Sequence, residues 1–564
     1  MAPSTYVAGQ GSPAGSGTGR SVGRRWAALI AVCLATLVAS VDFMAVSVSL
    51  PTTGRALALS FDHLQWALEG PLVAVAAFLL IAGHFADVFG RRPVFVLGSL
   101  VFAAGAAVAG SAHQPAVFIT GRVVEGVGAA FLYATGSLLL TEIFGPARSR
   151  LALGIWGTVT ALSVAGAPFV GGIITYELGW RYVYLVDIPA AAVAALIALV
   201  FVQEPPRVLS ALSGGEDRVA GRGQARRRRA DWGGFIFLGG SLAVLVVGLV
   251  RTTTAPNLGT FTQNGVIALL ASAGLLLILF IAVESATSAP MLPLSLFRRR
   301  TFTGSSIAAF GLSAAVLGPF LFLVLYLAYV PGYSAFSIGL RLLLLSGVTL
   351  PFLPFSGLLG RFVPTKALIF LGLALVAAGL YLMSRLTVAL TWHRLWPGLL
   401  VAGIGLELVN PRLAAAAAAS VRPAVAAVAS RASSMFRQSG AAVGVAVLGA
   451  LFANRLTNDV GSALTATPGG SGAVPSAVAS LTLQGHLAQA ARAAVGTRAR
   501  AMLPVLRSDL ADSLHFVLLV AAAVAAASAL LALMVRSRDI PRRDEQPQSA
   551  ATQAAPKDLK AGWA

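Results

Sequence analysis

The chain has 564 residues, 57% of them hydrophobic and 11% charged, with a mean hydropathy of +0.82, a balance outside that of soluble domains, so a polytopic membrane protein is expected. A net charge of +20 would suggest nucleic acid in a soluble protein, but here the arginines cluster in short loops between apolar runs, the positive-inside signature, and no nucleic-acid partner is expected. The lone Cys33 excludes an intrachain disulfide and a thiolate metal cluster, and neither metal nor cofactor is expected.

The first 25 residues read as a disordered cytoplasmic segment rich in Gly, Ser, Ala and Pro. The apolar run after Arg20, Arg24 and Arg25 is too long for a signal-peptide core and reads as an uncleaved first spanner. A membrane-crossing helix needs about 20 apolar residues. Such runs fall at 26–50, 64–83, 93–112, 116–140, 151–174, 186–203, 232–251, 263–284, 303–330, 335–357, 367–385, 395–411, 434–453 and 514–535. The expected fold is an all-α polytopic membrane protein with fourteen transmembrane helices. Two pseudo-symmetric six-helix bundles, 26–203 and 303–535, flank a basic cytoplasmic linker at 204–230 and two additional linking helices at 231–284; a long external loop covers about 454–513, and 536–564 is a disordered cytoplasmic tail.

Alternate loops set the orientation. One set carries Arg91 and Arg92, Arg148 and Arg150, Arg226 to Arg229, Arg298 to Arg300, Arg361 and Lys366, then Arg412, Arg422 and Arg431. The other set is poor in charge, which places both termini in the cytoplasm. The arginines of 454–513 do not overturn this, because long loops translocate largely regardless of charge. Lysine appears only at Lys366, Lys557 and Lys560, the usage of a GC-rich bacterial genome, so the bilayer expected is a bacterial plasma membrane. The run Arg226 to Arg229 is a topology anchor or a lipid-binding patch.

Two stretches repeat a theme. GHFADVFGRR, from Gly83 to Arg92, is a charged turn between the second and third apolar runs, and GLLGRFVPTK at 357–366 occupies the matching place in the second half, with Arg361 where Asp87 stands and Pro364 where Gly90 stands. Two bundles related by an axis along the membrane normal is the plan of one large transporter class.

Several apolar runs contain charges. Asp42 lies well inside the first, in SVDFMAVSVSLP, where an acid must face a bundle interior or a wet cavity. In GRVVEGVGAA, Arg122 and Glu125 are three residues apart and share one helix face. Glu69 sits near the outer end of the second run and Glu407 within the twelfth. GIWGTVTALSVAGAPFVGG carries small residues at intervals of three and four, including Gly166, Gly171 and Gly172, with Pro168 permitting a bend. Trp66, Trp180 and Trp396 fit an interfacial belt.

These strings resemble the major facilitator superfamily, and within it the fourteen-spanner drug:proton antiporters. The resemblance covers nearly the whole chain. It implies that Gly83, Asp87, Gly90, Arg91 and Arg92 form a cytoplasmic gate motif in which Asp87 pairs with basic residues; a pure topology device is the alternative. It implies that Asp42 leads the first-helix motif ending at Leu50 and Pro51, and that Arg122 takes part in proton transfer by tuning a nearby acid. Glu125 stands where the family has glutamine, as a second proton site or as the residue that neutralises Arg122. The fifth run matches the antiporter motif associated with exporters, and WRYVYLVDIP resembles the entry to the sixth helix, with Asp187 in place of the usual asparagine. LFRRRTF and SSMFRQSGAAVGVAVLG resemble second-half patterns; in the latter, Arg437 and Gln438 are expected to start a helix whose packing face carries Gly440 and Gly444. Glu407, where the family more often has glycine, is a substrate-contacting acid or a helix-end charge.

The function implied is export of amphipathic small molecules such as drugs or antibiotics, driven by the proton gradient, with Asp42, Arg122, Glu125, Glu69 and Glu407 as candidate coupling and cavity residues. The partners expected are the small-molecule substrate, protons and the lipid bilayer, and a monomer is expected to suffice. A dedicated exporter of one endogenous metabolite is the alternative. A membrane-embedded lipid-modifying enzyme would need a dense polar site, but the chain has no H-E-x-x-H and no P-loop, so no catalytic residue is assigned.

Overall fold

The computed structural model describes residues 18–202, 232–254, 263–287, 290–385, 392–421, 423–466, 474–495 and 499–536. The expected linker at 204–230 with its four arginines, most of the N-terminal segment and nearly all of the C-terminal tail lie outside the described residues. The described chain is helical: α1 Thr18–Ala56, α2 Phe61–Phe89, α3 Arg91–Gly110, α4 Pro115–Gly145, α5 Leu151–Glu177 and α6 Arg181–Phe201 make the first half. Helices α7 Trp232–Thr254 and α8 Gln263–Ala286 follow. The second half comprises α9 Arg300–Tyr329, α10 Ala335–Gly347, α11 Thr349–Phe362, α12 Thr365–Ser384, α13 Trp392–Ala419, α14 Pro423–Ala466, α15 Pro475–Leu483, α16 Leu487–Val495 and α17 Ala499–Ala532.

Thirteen of these helices are long and apolar enough to cross a membrane. The tenth predicted run, 335–357, is realised as α10 and α11, which meet at Val348 with backbone angles still in the right-handed helical region, φ −58° and ψ −25°. The segment 454–513, expected as a loop, is mostly helical: α14 runs on to Ala466, α15 and α16 follow, and α17 begins at Ala499. Alanine-rich sequence accounts for this, since Ala has the strongest helix propensity and the segment is as rich in it as the spans.

Local chemistry fixes the boundaries that matter for the site. Ser60 caps α2 by accepting from the His63 amide at 3.4 Å while His63 Nδ1 accepts from the Ser60 amide at 3.3 Å. Gly90, with φ 104° and ψ 153°, turns α2 into α3 in a conformation closed to other residues. Gly145, φ 66°, separates α4 from α5. In α1 the hydroxyls of Ser47, Ser49 and Thr53 donate back to carbonyls three or four residues earlier, so these polar atoms are satisfied next to Pro51.

Small residues set how closely the helices approach. Gly105 of α3 faces Gly121 and Glu125 of α4, with the Gly121 carbonyl 2.8 Å from where a Cβ would stand. In the second half Gly440 and Gly444 of α14 pack on Phe310 and Ala314 of α9, as expected of that face. Arg437, however, does not start a helix, because α14 begins at Pro423. Helix α7 lies over the seam between α2 and α14, where Leu72, Val73, Val246, Val250, Ala441, Ala442 and Ala446 form one apolar cluster. Its partner α8 is peripheral: its apolar window is 17% buried, against 83% for α9, which makes α8 a lipid-facing helix and α9 the centre of the second half. Trp180 is not at a surface belt; it is buried against Phe118 and Tyr184.

Candidate functional site

Arg122 is fully buried, and everything polar around it converges on its guanidinium. Nη1 donates to both oxygens of Asp42 at 2.8 Å, across 80 residues of sequence, and also to Glu125 Oε2 one turn along α4. Nε donates to the Ala67 carbonyl of α2 at 3.2 Å. The ring of Tyr184, on α6, stands 5.5 Å from the guanidinium carbon, within cation–π range. Asp187 lies one turn beyond Tyr184, buried, and one carboxyl oxygen from each of Asp42, Glu125 and Asp187 falls within 4.8 Å of the others. Three carboxyl groups thus surround one guanidinium.

The arrangement follows from helix periodicity. Arg122 and Glu125 share a face of α4, Tyr184 and Asp187 share a face of α6, and α1 brings Asp42 between them. Three acids so spaced offer the oxygens a cation could bridge, and two of them, Asp42 and Glu125, are paired with Arg122. Uncompensated charge in such a place is costly, so the network changes energy strongly when a proton enters or leaves. The sequence does not place Asp187 among the candidate coupling and cavity residues. The one signal that could have done so is its acid at a position where the resembling family has an amide.

Glu69 and Glu407 are buried but lie elsewhere. Glu69 is on α2 with Gln65 one turn before it, and neither the Glu69 carboxyl oxygens nor the Gln65 amide atoms make a hydrogen bond among the described residues. Gln65 and the Phe322 ring both press on Gly449 of α14, so this part of α2 forms the seam with the second half. Glu407 is on α13, within the second half. Arg437 is exposed although it lies well inside α14, and it is within electrostatic reach of Tyr133, whose hydroxyl is 3.4 Å from Ser40 Oγ on α1.

The Gly83–Arg92 turn divides its work between the halves. Arg91 pairs with Glu142 at 2.9 Å and donates to the Leu138 carbonyl at 2.9 Å, and Arg92 donates to the Leu199 carbonyl; both hold α3 within the first half. Asp87 reaches across to Arg431 of α14 at 3.5 Å, and Gly83 lies against that same side chain, whose Cζ is 2.7 Å from the place of a Cβ. Arg431 is therefore the cross-half partner, a residue the sequence shows only as one more basic residue near a helix start.

The antiporter-motif stretch closes the other end of the molecule. Gly171 packs on Ala45 of α1, Gly172 lies 2.7 Å (at its Cβ position) from the Ala335 carbonyl of α10, and Gly339 of α10 sits against the Pro168 carbonyl. Ser346 on α10 donates to the Ala165 carbonyl at 2.6 Å. Around Gly166 the space a Cβ would occupy has no neighbour within 4 Å among the described residues, so this glycine takes no part in the seam.

Comparison with known proteins agrees with this architecture. The chain is 29% identical over 437 residues to the tetracenomycin C resistance and export protein of Streptomyces glaucescens, covering 77% of each. It is 30% identical over 431 residues to the puromycin resistance protein of Streptomyces alboniger, covering 75% of this chain and 81% of the relative. It is 28% identical to the multidrug resistance protein Stp of Mycobacterium tuberculosis, covering 75% of each. Among solved structures, a bacterial homologue of the human lysosomal transporter Spinster, inward-facing and occupied, superposes with a TM-score of 0.61 at 16% identity, covering 91% of this chain and 97% of that one, which establishes the shared fold. Residues 32–445 match the Major Facilitator Superfamily, and together with the two helical halves and these relatives this shows that the chain belongs to that family of transporters.

Proposed function

We propose that this protein is a proton-driven exporter of amphipathic small molecules, an antiporter working by alternating access in a bacterial plasma membrane as a monomer with both termini in the cytoplasm. The observation that carries the reading is the buried Asp42–Arg122–Glu125 network: acids this deep in a span, shared around one arginine, are groups whose protonation a moving bundle can exploit. Protonating Asp42 weakens its hold on Arg122 and favours one facing of the molecule; substrate favours the other, and rocking of the two halves exchanges them. The Asp87–Arg431 contact at one end and the α5–α10 seam at the other are the two closures that must alternate. A membrane potential of about 100 mV supplies ~2.3 kcal/mol for each elementary charge that crosses.

A second reading, export of a single endogenous antibiotic by its producer, is favoured by relatives named for resistance to one compound, tetracenomycin C or puromycin. A resistance screen in a strain lacking its own pumps separates the two by breadth of protection. Coupling is tested with a fluorescent cation in everted vesicles: an uncoupler and Asp42→Asn should each reduce transport to background. Transport that ignores both overturns proton coupling.

A further inference from the structure

The buried network does not balance its charges. From α1 comes Asp42, from α4 Arg122 and Glu125, and from α6 Tyr184 and Asp187; α3 meets Glu125 through Gly105, and α2 contributes the Ala67 carbonyl. Three carboxyl groups therefore face one guanidinium. Arg122 Nη1 donates to both oxygens of Asp42, which makes these two a neutral pair. The same nitrogen reaches Glu125 Oε2, yet Glu125 Oε1 and Asp187 Oδ2 are buried without a hydrogen-bond partner among the described residues. Burying a second and third carboxylate beside a single cation carries a large desolvation penalty. A carboxyl group that keeps its proton avoids the penalty.

The geometry points to Glu125 and Asp187 as two proton-binding groups beside the Asp42–Arg122 pair, so that the closed network holds two protons, one fewer than its carboxyl groups. Asp187 is thereby a proton carrier in its own right. When the bundle opens to water each proton leaves its carboxyl oxygen for the solvent and a carboxylate remains; in transport, which rests on the proton-coupled reading above, these two protons are exchanged in addition to the one that Asp42 takes up and gives back.

The counting rule is tested without substrate, by infrared spectroscopy of the purified full-length protein in lipid, following the carbonyl stretch of protonated carboxyl groups between mildly acidic and alkaline pH. Other buried acids, Glu69 among them, give a background common to every variant. Relative to the wild type, Asp187→Asn and Glu125→Gln should each remove the signal of one protonated carboxyl group, and the double variant two. Asp42→Asn should also remove one, because Glu125 then ionises to balance Arg122. An unchanged signal in Asp187→Asn, in protein that elutes and melts like the wild type, overturns the proposal, as does a Glu125→Gln variant that loses nothing. If the count holds while vesicle efflux ignores the proton gradient, proton-driven export fails and the two-proton network stands.

Discussion

The first helix of each half crosses the molecule in a different company. Helix α1 carries Asp42 into contact with Arg122, whereas α9 passes through the second half without a charged residue from Thr301 to Tyr329 and closes its core with Phe322 stacked on Phe452 at 4.8 Å. Around α1 lie Arg122, Glu125, Tyr184 and Asp187; around α9 lie apolar side chains, the uncharged Ser528 and the glycines of α14. One half stores energy in a charge arrangement that a proton can alter. The other is centred on a close-packed apolar helix, with its buried acids Glu407 and Asp509 on α13 and α17. The difference teaches that a pseudo-symmetric plan need not distribute chemistry symmetrically: the arginine-centred network of acids lies wholly in the first half.

Three sets of substitutions press on that contrast, taken from the largest effect. Arg122→Ala leaves three buried carboxyl groups without their cation and should cost about 3–5 kcal/mol of stability, read as a lowered melting temperature in detergent. Adding Asp42→Asn should recover part of the loss, because one buried charge goes with it. If Glu407→Gln, in the second half, destabilises as much as Arg122→Ala, the charge-rich and charge-poor description fails.

Next comes the seam between halves. Gly339→Val pushes a side chain into the Pro168 carbonyl of α5 and should cost about 1–3 kcal/mol while weakening closure at that end. Gly166→Ala, in the same motif but without a neighbour, should leave melting temperature and export unchanged. Equal effects of the two would mean that the motif acts through something other than this packing.

The smallest effect on stability belongs to Asp87→Asn. Its pair with Arg431 spans 3.5 Å and the Asp87 side chain is 51% exposed, so the loss should stay below about 1 kcal/mol. Export in vesicles should nevertheless fall further than with Arg361→Ala in the matching turn of the second half. Identical export by both variants would reduce the two turns to topology devices.

Much of this was legible in the residues. Asp42 stands alone in an apolar run, which forces it toward an interior, and the three-residue spacing of Arg122 and Glu125 puts both on one face of α4 whatever the fold. The Gly83–Arg92 turn announced itself by its charges between two spans. What the residues left open was the partner of each charge. Arg122 could have neutralised Glu125 alone; it binds Asp42 as well. Asp87 faced a choice among many loop arginines and meets Arg431. Glu69 and Glu407, candidates because each is an acid in an apolar run, sit away from the network, on the seam and in the second half.

The sequence by itself determined the class, the rough placement of most of the apolar helices, and which charges had to be buried, because each follows from local composition measured against a membrane's thickness or from helical period. Only the tertiary structure decided which helices touch: that α6 delivers Asp187 to the network, that α14 supplies Arg431, that 454–513 is mostly helical, and that Gly166 is idle while Gly171 and Gly172 pack. The physical reason is that a charge's cost is local but its compensation is not. Any helix with the right face at the right height could have supplied the partner, and packing alone selected which one did.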